Sequence, residues 1–187
     1  ERDDRLKERL FGLTNPQGNH GEDTKEYWRH LDAIPTHSFA QFLYRYPQSA
    51  FPYAHLVSES AARTRADEEL ELTDTGVLDG DRFFDVVVTH AKSAPDDLLI
   101  EFAATNHGAD PAPLHLLPQV WFRNTWSWWP DAVKPNVGEA AGMDAAKLIA
   151  ATHEHLGAFR FYCEGEPALL FTENETNNKR LFGTENA

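Results

Sequence analysis

The stretch that decides the fold is Phe83-Phe84-Asp85-Val86-Val87-Val88-Thr89-His90, in which β-branched and aromatic residues follow one another almost without interruption. A second run of the same kind spans residues 98–105, and the segment Ser93-Ala94-Pro95-Asp96-Asp97 between the two runs is rich in turn-forming residues. Residue types of this kind fit the pleated, half-buried surface of a sheet. The two runs therefore predict an antiparallel β-hairpin.

Strand and turn signals continue on both sides of this hairpin. Residues 114–122, 159–163 and 169–172 predict further strands, and residues 25–46 predict a mostly extended segment. Residues 145–156 have the propensity for a helix, but we favour a strand because Gly157 follows at once and another strand begins. Residues 54–69 are rich in Ala, Arg and Glu, which predicts a short polar helix inserted at the surface. Strands at short spacing without alternating helices indicate a mainly β fold, an antiparallel β-sandwich with a short helical insertion. We expect a single domain over residues 1–187.

Composition and charge exclude several classes of function. The chain has 187 residues and a formal net charge of -13, and no Lys and Arg cluster forms a basic stripe. This charge repels nucleic-acid phosphates and anionic membrane surfaces, so we expect no nucleic-acid partner. Apolar runs fall far short of the roughly 20 residues of a membrane span, so we expect no membrane partner. The single cysteine, Cys163, fits a reducing compartment, which predicts a cytoplasmic protein.

The most unusual local feature is the segment from Trp121 to Trp129, which contains four of the five tryptophans of the chain. In an extended segment Trp126 and Trp128 would share one face, with hydrogen-bonding groups beside them. Flat aromatic rings next to polar groups suit sugar surfaces, whereas the more conservative interpretation is a sandwich core or a domain interface. The residues proposed for substrate binding or for such an interface are Trp121, Arg123, Asn124, Trp126 and Trp128.

Other constellations give weaker signals for chemistry. His153-Glu154-His155 places two histidines on one side of a strand, but a cupin-like metal site needs a further histidine and a carboxylate from neighbouring strands. Asp79-Gly80-Asp81 is more simply a turn than a pair of catalytic carboxylates. The sequence contains no nucleophile elbow and no phosphate-binding loop. We therefore expect no catalytic residue, no metal and no cofactor in this chain.

Taken as whole phrases in order, the sequence resembles the bacterial glucosidase-like proteins of glycoside hydrolase family 63, and the resemblance covers nearly the whole chain. The phrases that carry it are Glu8-Arg9-Leu10-Phe11-Gly12-Leu13-Thr14-Asn15, Gln17-Gly18-Asn19-His20-Gly21-Glu22-Asp23, Lys25-Glu26-Tyr27, Pro35-Thr36-His37-Ser38, Tyr44-Arg45-Tyr46-Pro47-Gln48, Phe51-Pro52-Tyr53-Ala54, Asp74-Thr75-Gly76-Val77, Leu114-His115-Leu116-Leu117-Pro118, Trp121-Phe122-Arg123-Asn124-Thr125-Trp126-Ser127-Trp128 and Phe171-Thr172-Glu173-Asn174-Glu175-Thr176-Asn177.

This resemblance implies a much longer protein, in which an N-terminal β-supersandwich precedes an (α/α) barrel. The barrel of such an enzyme holds the general acid and the general base of an inverting α-glucosidase, so no catalytic residue is carried over to this chain. The implied function is a non-catalytic N-terminal β domain, a fragment of a longer glycosidase. Its implied partners are the barrel of the same protein and, through the parent enzyme, an α-linked oligosaccharide or disaccharide.

Two alternatives remain open from the sequence. One is a free-standing carbohydrate-binding β-sandwich module that uses the tryptophan-rich segment, and a weaker one is the cupin-like metal protein. A β domain separated from its barrel would expose a large apolar patch, and such patches favour self-association. We therefore expect a dimer or a higher homo-oligomer in solution.

Overall fold

The computed structural model describes residues 27–142, 146–172, 179 and 183–185. The chain divides into two compact units, Glu1–Leu114 and His115–Ala187. Each unit has its own antiparallel sheet among the described residues. The single domain predicted over residues 1–187 stays a prediction.

The first unit contains a four-stranded antiparallel sheet whose strands are neighbours in chain order. Its strands are β1 (Tyr27–Ala33), β2 (Phe39–Pro47), β3 (Phe83–Ala94) and β4 (Asp97–Asn106). The central strand β3 buries Phe84, Val86 and Val88 on one face, as expected for β-branched and aromatic residues at alternate positions. The two extended runs of the sequence form β3 and β4, which confirms the predicted hairpin.

Between β2 and β3 the chain forms an insertion with a small core of its own. It begins with the helix α1 (Tyr53–Ala62), which confirms the predicted polar helix but ends seven residues earlier than expected, because Arg63 is already extended at φ -82° and ψ 152°. The buried residues of this small core are Phe51, Leu56, Leu70 and Leu72. Asp79–Asp81 is a short 3-10 turn in which Gly80 has φ 70°, a conformation that glycine adopts without strain.

The second unit contains a three-stranded antiparallel sheet among its described residues. Its strands are β5 (Asn136–Ala140), β6 (Ala146–His153) and β7 (Gly157–Glu164). The predicted strand over residues 159–163 is confirmed by β7, and that over residues 145–156 is confirmed by β6 only as far as His153, because residues 154–156 form a turn. Residue 145 lies outside the described residues. Gly157 has φ 84°, which permits the tight turn between these two strands.

Two predicted strands do not form. Residues 114–122 have no regular structure, and residues 169–172 have none either. Proline lacks the backbone N–H that a sheet ladder needs; Pro118 interrupts the first of these stretches, and Pro111 and Pro113 directly precede it. Pro167 precedes the second stretch directly after the turn that ends β7.

The predicted fold class is confirmed. The described residues form two antiparallel sheets and one α-helix, a mainly β composition consistent with a β-sandwich protein. None of the helices among the described residues is long and apolar enough to cross a membrane.

Candidate functional site

The tryptophan-rich segment, residues 121–129, lies in the second unit between the irregular stretch and β5. Three of its indole side chains face solvent: Trp121, Trp128 and Trp129 are 56–69% exposed. Large aromatic side chains are usually buried on folding, because burying one of them favourably removes roughly 150–250 Å² of surface from water. Three indoles within nine residues are therefore accessible to a ligand or to another protein.

A short 3-10 turn over Trp126–Trp128 sets the shape of this segment. The backbone N–H of Trp128 donates to the carbonyl of Thr125 at 3.2 Å, and the side-chain oxygen of Asn124 accepts from the N–H of Ser127 at 3.2 Å. With three residues per turn, Trp126 and Trp128 point in different directions. The segment is not extended here, so the condition under which these two rings would share one face is not met: Trp126 is half-buried and Trp128 is exposed.

Arg123 lies beside one of the exposed rings. Its guanidinium carbon is 5.3 Å from the centroid of the Trp128 ring, which is cation–π distance. This contact limits the freedom of both side chains and holds the guanidinium N–H donors next to the indole. An aromatic surface and fixed hydrogen-bond donors thus occur together at Trp128.

Phe122 fixes the segment to the sheet of the second unit. Its half-buried ring lies 5.1 Å from the His153 ring and 6.3 Å from the Phe159 ring, measured between centroids. His153 ends β6, and Phe159 lies on β7 opposite Ala151. The exposed indoles therefore belong to a segment that is anchored on the sheet.

His153 ends β6, whereas His155 lies in the turn that follows, so the two histidines do not share the face of one strand as the sequence predicted. The Nδ1 atom of His153 accepts the backbone N–H groups of His155 at 3.1 Å and Leu156 at 3.2 Å. These bonds occupy the ring nitrogen that faces the turn. Among the described residues, no three His, Cys, Asp or Glu side chains lie close enough together to hold a metal ion.

The best-defined charged cluster lies in the first unit, on the sheet face of Arg45 and Asp85. The Arg45 guanidinium donates two hydrogen bonds to the Asp85 carboxylate, at 2.7 Å and 2.8 Å. Nε2 of His107 lies 3.0 Å from the same carboxylate, and Arg45 also lies 4.0 Å above the Phe83 ring. The hydrogen bonds from Arg45, together with its charge and the contact with His107, lower the pKa of Asp85 despite partial burial.

The chain is similar to part of a much longer protein. The chain is similar to the uncharacterized protein YMR196W of Saccharomyces cerevisiae, with 38% identity over 215 aligned positions. The alignment covers 98% of the chain and 20% of the yeast protein, so the chain spans about a fifth of the length of this relative. No family profile matches the chain. No solved structure matches it either.

The structure brings some of the predicted site residues together and adds one that the sequence interpretation missed. Arg123 and Trp128 are in contact, and Asn124 shapes the turn beside them. Trp121 is exposed, whereas Trp126 is half-buried. Trp129, the missed residue, is among the most exposed of the set. Its position next to Trp128 is visible in the sequence, but the sequence does not show which of the neighbouring rings stays exposed.

Proposed function

We propose that this chain is a non-catalytic β domain of a larger family-63-like α-glucosidase, and that its tryptophan-rich segment contacts an α-linked oligosaccharide. The observation that carries the proposal is the set of exposed indoles with Arg123 and Asn124 beside them. Sugars present apolar C–H faces that stack on aromatic rings and hydroxyl groups that bond to polar side chains. The asparagine amide contributes its oxygen to the turn, and its amide nitrogen carries two further donors.

Two carboxylates of the first unit, Asp85 and Asp67, are unsuited to the role of a general acid. Inverting glycosidases need one carboxyl whose pKa is raised so that it can act as the general acid. Asp85 has its pKa lowered by hydrogen bonds from Arg45, and Asp67 has its pKa lowered by hydrogen bonds from Thr64. Both shifts favour the ionised form, which is the wrong direction for a general acid. Hydrolysis is therefore proposed to occur in an (α/α) barrel of the parent protein.

Two further observations fit an accessory domain of a long intracellular enzyme. The yeast relative is about five times as long as the segment that this chain matches, which leaves ample length for a catalytic barrel. The chain has a single cysteine, as expected for a protein in the reducing cytoplasm. We propose a cytoplasmic location for the parent enzyme on this basis.

Binding is tested by isothermal titration calorimetry of the chain with maltoheptaose, an oligosaccharide of α-linked glucose. We expect saturable binding, and we expect the substitutions Trp121→Ala and Trp128→Ala to weaken it at least tenfold. Val133→Ala is the matched control, because Val133 is an exposed apolar residue of the same unit. If the two tryptophan variants bind maltoheptaose as tightly as the control does, the proposal that this segment binds sugar is refuted.

The accessory role is tested separately by glucose release from α-linked disaccharides and oligosaccharides. The assay compares this chain with a protein extended through the proposed barrel. We expect activity in the extended protein alone, because the general acid and the general base lie outside this chain. Activity in the isolated chain that disappears on mutation of one of its own carboxylates would refute the non-catalytic assignment.

A free-standing carbohydrate-binding module is the second candidate, and it is favoured by the same exposed indoles. It differs from the first proposal in one measurable respect. The module would bind maltoheptaose in the calorimeter, while the extended protein would release no glucose from any α-linked substrate.

A further inference from the structure

We propose that the outer edge of β4 binds an extended, basic peptide strand that adds to the four-stranded sheet. β4 is the last strand in the sheet order, and no strand of the described residues pairs with its outer side. It is ten residues long, and every one of its residues is exposed. Sheet edges of this length are templates on which a peptide of another chain forms backbone hydrogen bonds.

The register shows which backbone groups of β4 face outward. The N–H of His107 donates to the carbonyl of Phe83 on β3 at 3.0 Å, and the β3–β4 register is regular from Asn106 back to Leu98. Backbone groups alternate in direction along an antiparallel strand. Odd-numbered residues therefore bond to β3, whereas the N–H and C=O groups that point away from the sheet belong to Leu98, Ile100, Phe102, Ala104 and Asn106.

The side chains of this edge make an added strand favourable. Leu98, Ile100 and Phe102 are 42–51% exposed and lie on one face, while Leu99 is 58% exposed on the other face. Exposed edge strands are usually protected by lysine, proline or a central bulge. Residues 98–106 contain neither lysine nor proline, and their register is regular. An added strand with apolar residues at alternate positions would cover the row of Leu98, Ile100 and Phe102.

Charge selects the kind of strand that binds. Asp97 and Glu101 are the acidic residues of β4, and the whole chain carries a net charge of -13. Cross-strand pairs of opposite charge stabilise a sheet, and like charges directly opposite each other destabilise it. A lysine or arginine of the incoming strand opposite Glu101 is therefore favoured.

The same argument disfavours a second copy of this chain as the occupant. When the β4 edges of two copies pair antiparallel around a twofold axis, the axis passes beside one residue of the strand. That residue then lies opposite the same residue of the other copy. In every register centred on residues 99–102, Glu101 lies directly opposite or diagonal to a carboxylate of the other copy. Each copy also brings its own charge of -13 to the contact. The observations thus favour a basic peptide over self-pairing.

The test measures fluorescence anisotropy of two labelled ten-residue peptides added to the whole chain. One peptide alternates Val and Lys, and the other alternates Val and Glu. We expect the Val–Lys peptide to bind at least tenfold more tightly. Glu101→Lys is expected to lower its affinity at least tenfold and to increase binding of the Val–Glu peptide. Equal binding of the two peptides to the unmodified chain would overturn the proposal.

Glu154→Lys is the matched control for general charge attraction. It makes the same change in net charge at an exposed glutamate of the second unit. We expect less than a twofold effect on the Val–Lys peptide. If Glu154→Lys weakens binding as much as Glu101→Lys does, attraction is not specific to β4 and the proposal is wrong.

Ile100→Pro tests the backbone contribution. The N–H of Ile100 points to the outer side, so proline removes a donor of the free edge without removing a bond to β3. We expect at least a tenfold loss of Val–Lys binding with an unchanged far-ultraviolet circular dichroism spectrum. Should this variant unfold, the two lysine substitutions still decide the question. A dimer in sedimentation of the unmodified chain that Glu101→Lys strengthens would make a second copy the occupant and overturn the proposal.

Discussion

The substitution Asp85→Asn is expected to destabilise the first unit, because it removes the charge that holds Arg45 across β2 and β3. The pair makes two short hydrogen bonds, and the Asp85 and Arg45 side chains are only 14% and 25% exposed. Hydrogen bonds to charged groups contribute roughly 1.5–3 kcal/mol, and the remaining solvent exposure favours the lower half of that range. We therefore expect a loss of about 2 kcal/mol in the free energy of unfolding.

This loss depends on pH in a defined direction. The hydrogen bonds and the charge of Arg45 lower the pKa of Asp85 in the folded state, whereas an unfolded aspartate titrates near roughly 3.9. The stabilisation is therefore fully present above the unfolded pKa and is lost as the pH falls through the lower folded-state pKa. The difference between the unmodified chain and Asp85→Asn should be constant near neutral pH and should shrink below about pH 4.

Urea denaturation followed by circular dichroism measures this effect. With a slope of about 2 kcal/mol per molar urea, a loss of about 2 kcal/mol lowers the midpoint by about 1 M. Asp32→Asn is the matched control, because Asp32 is exposed on β1. A double-mutant cycle with Arg45→Met isolates the pair from other effects of each change. A midpoint for Asp85→Asn equal to that of the control at neutral pH would refute the stabilising role of the pair.

Two further substitutions test the packing of each unit by the same urea assay. Leu56→Ala removes a fully buried side chain from the core of the insertion and should lower the free energy of unfolding by about 2–5 kcal/mol. Val57→Ala, at the next and exposed position, should lower it far less. Similar losses in the two variants would mean that this core does not stabilise the unit. His153→Phe keeps an aromatic ring against Phe122 but removes the acceptor of two hydrogen bonds in the turn. We therefore expect it to lower the free energy of unfolding by about 1 kcal/mol. The control His155→Phe should not cause this loss. An unchanged midpoint for His153→Phe would show that the turn does not need this acceptor.

The candidate site was predictable in composition but not in shape. A run with four tryptophans in nine residues identifies the segment from the sequence alone. Its conformation depends on Asn124 and Thr125, which accept the hydrogen bonds that close a 3-10 turn. A shared face for Trp126 and Trp128 requires an extended segment, so it does not follow once residues 126–128 form a 3-10 turn.

Elements whose signals are local can be predicted from the amino-acid sequence. β3 and β4 follow from β-branched and aromatic runs with a turn between them, and α1 follows from a polar stretch rich in Ala and Glu. These preferences arise from the sterics of each residue and its close neighbours, so they survive without knowledge of the rest of the chain.

Contacts between distant residues and the exposure of surfaces depend on the folded chain and cannot be predicted from local sequence. Arg45 and Asp85 are 40 residues apart, and their contact exists because β2 and β3 pair in one register. The outward direction of the backbone at Ile100 likewise depends on how β4 pairs with β3. Register is a property of two strands together, and a shift of one residue would move every side chain to the other face. No single stretch of sequence contains that information.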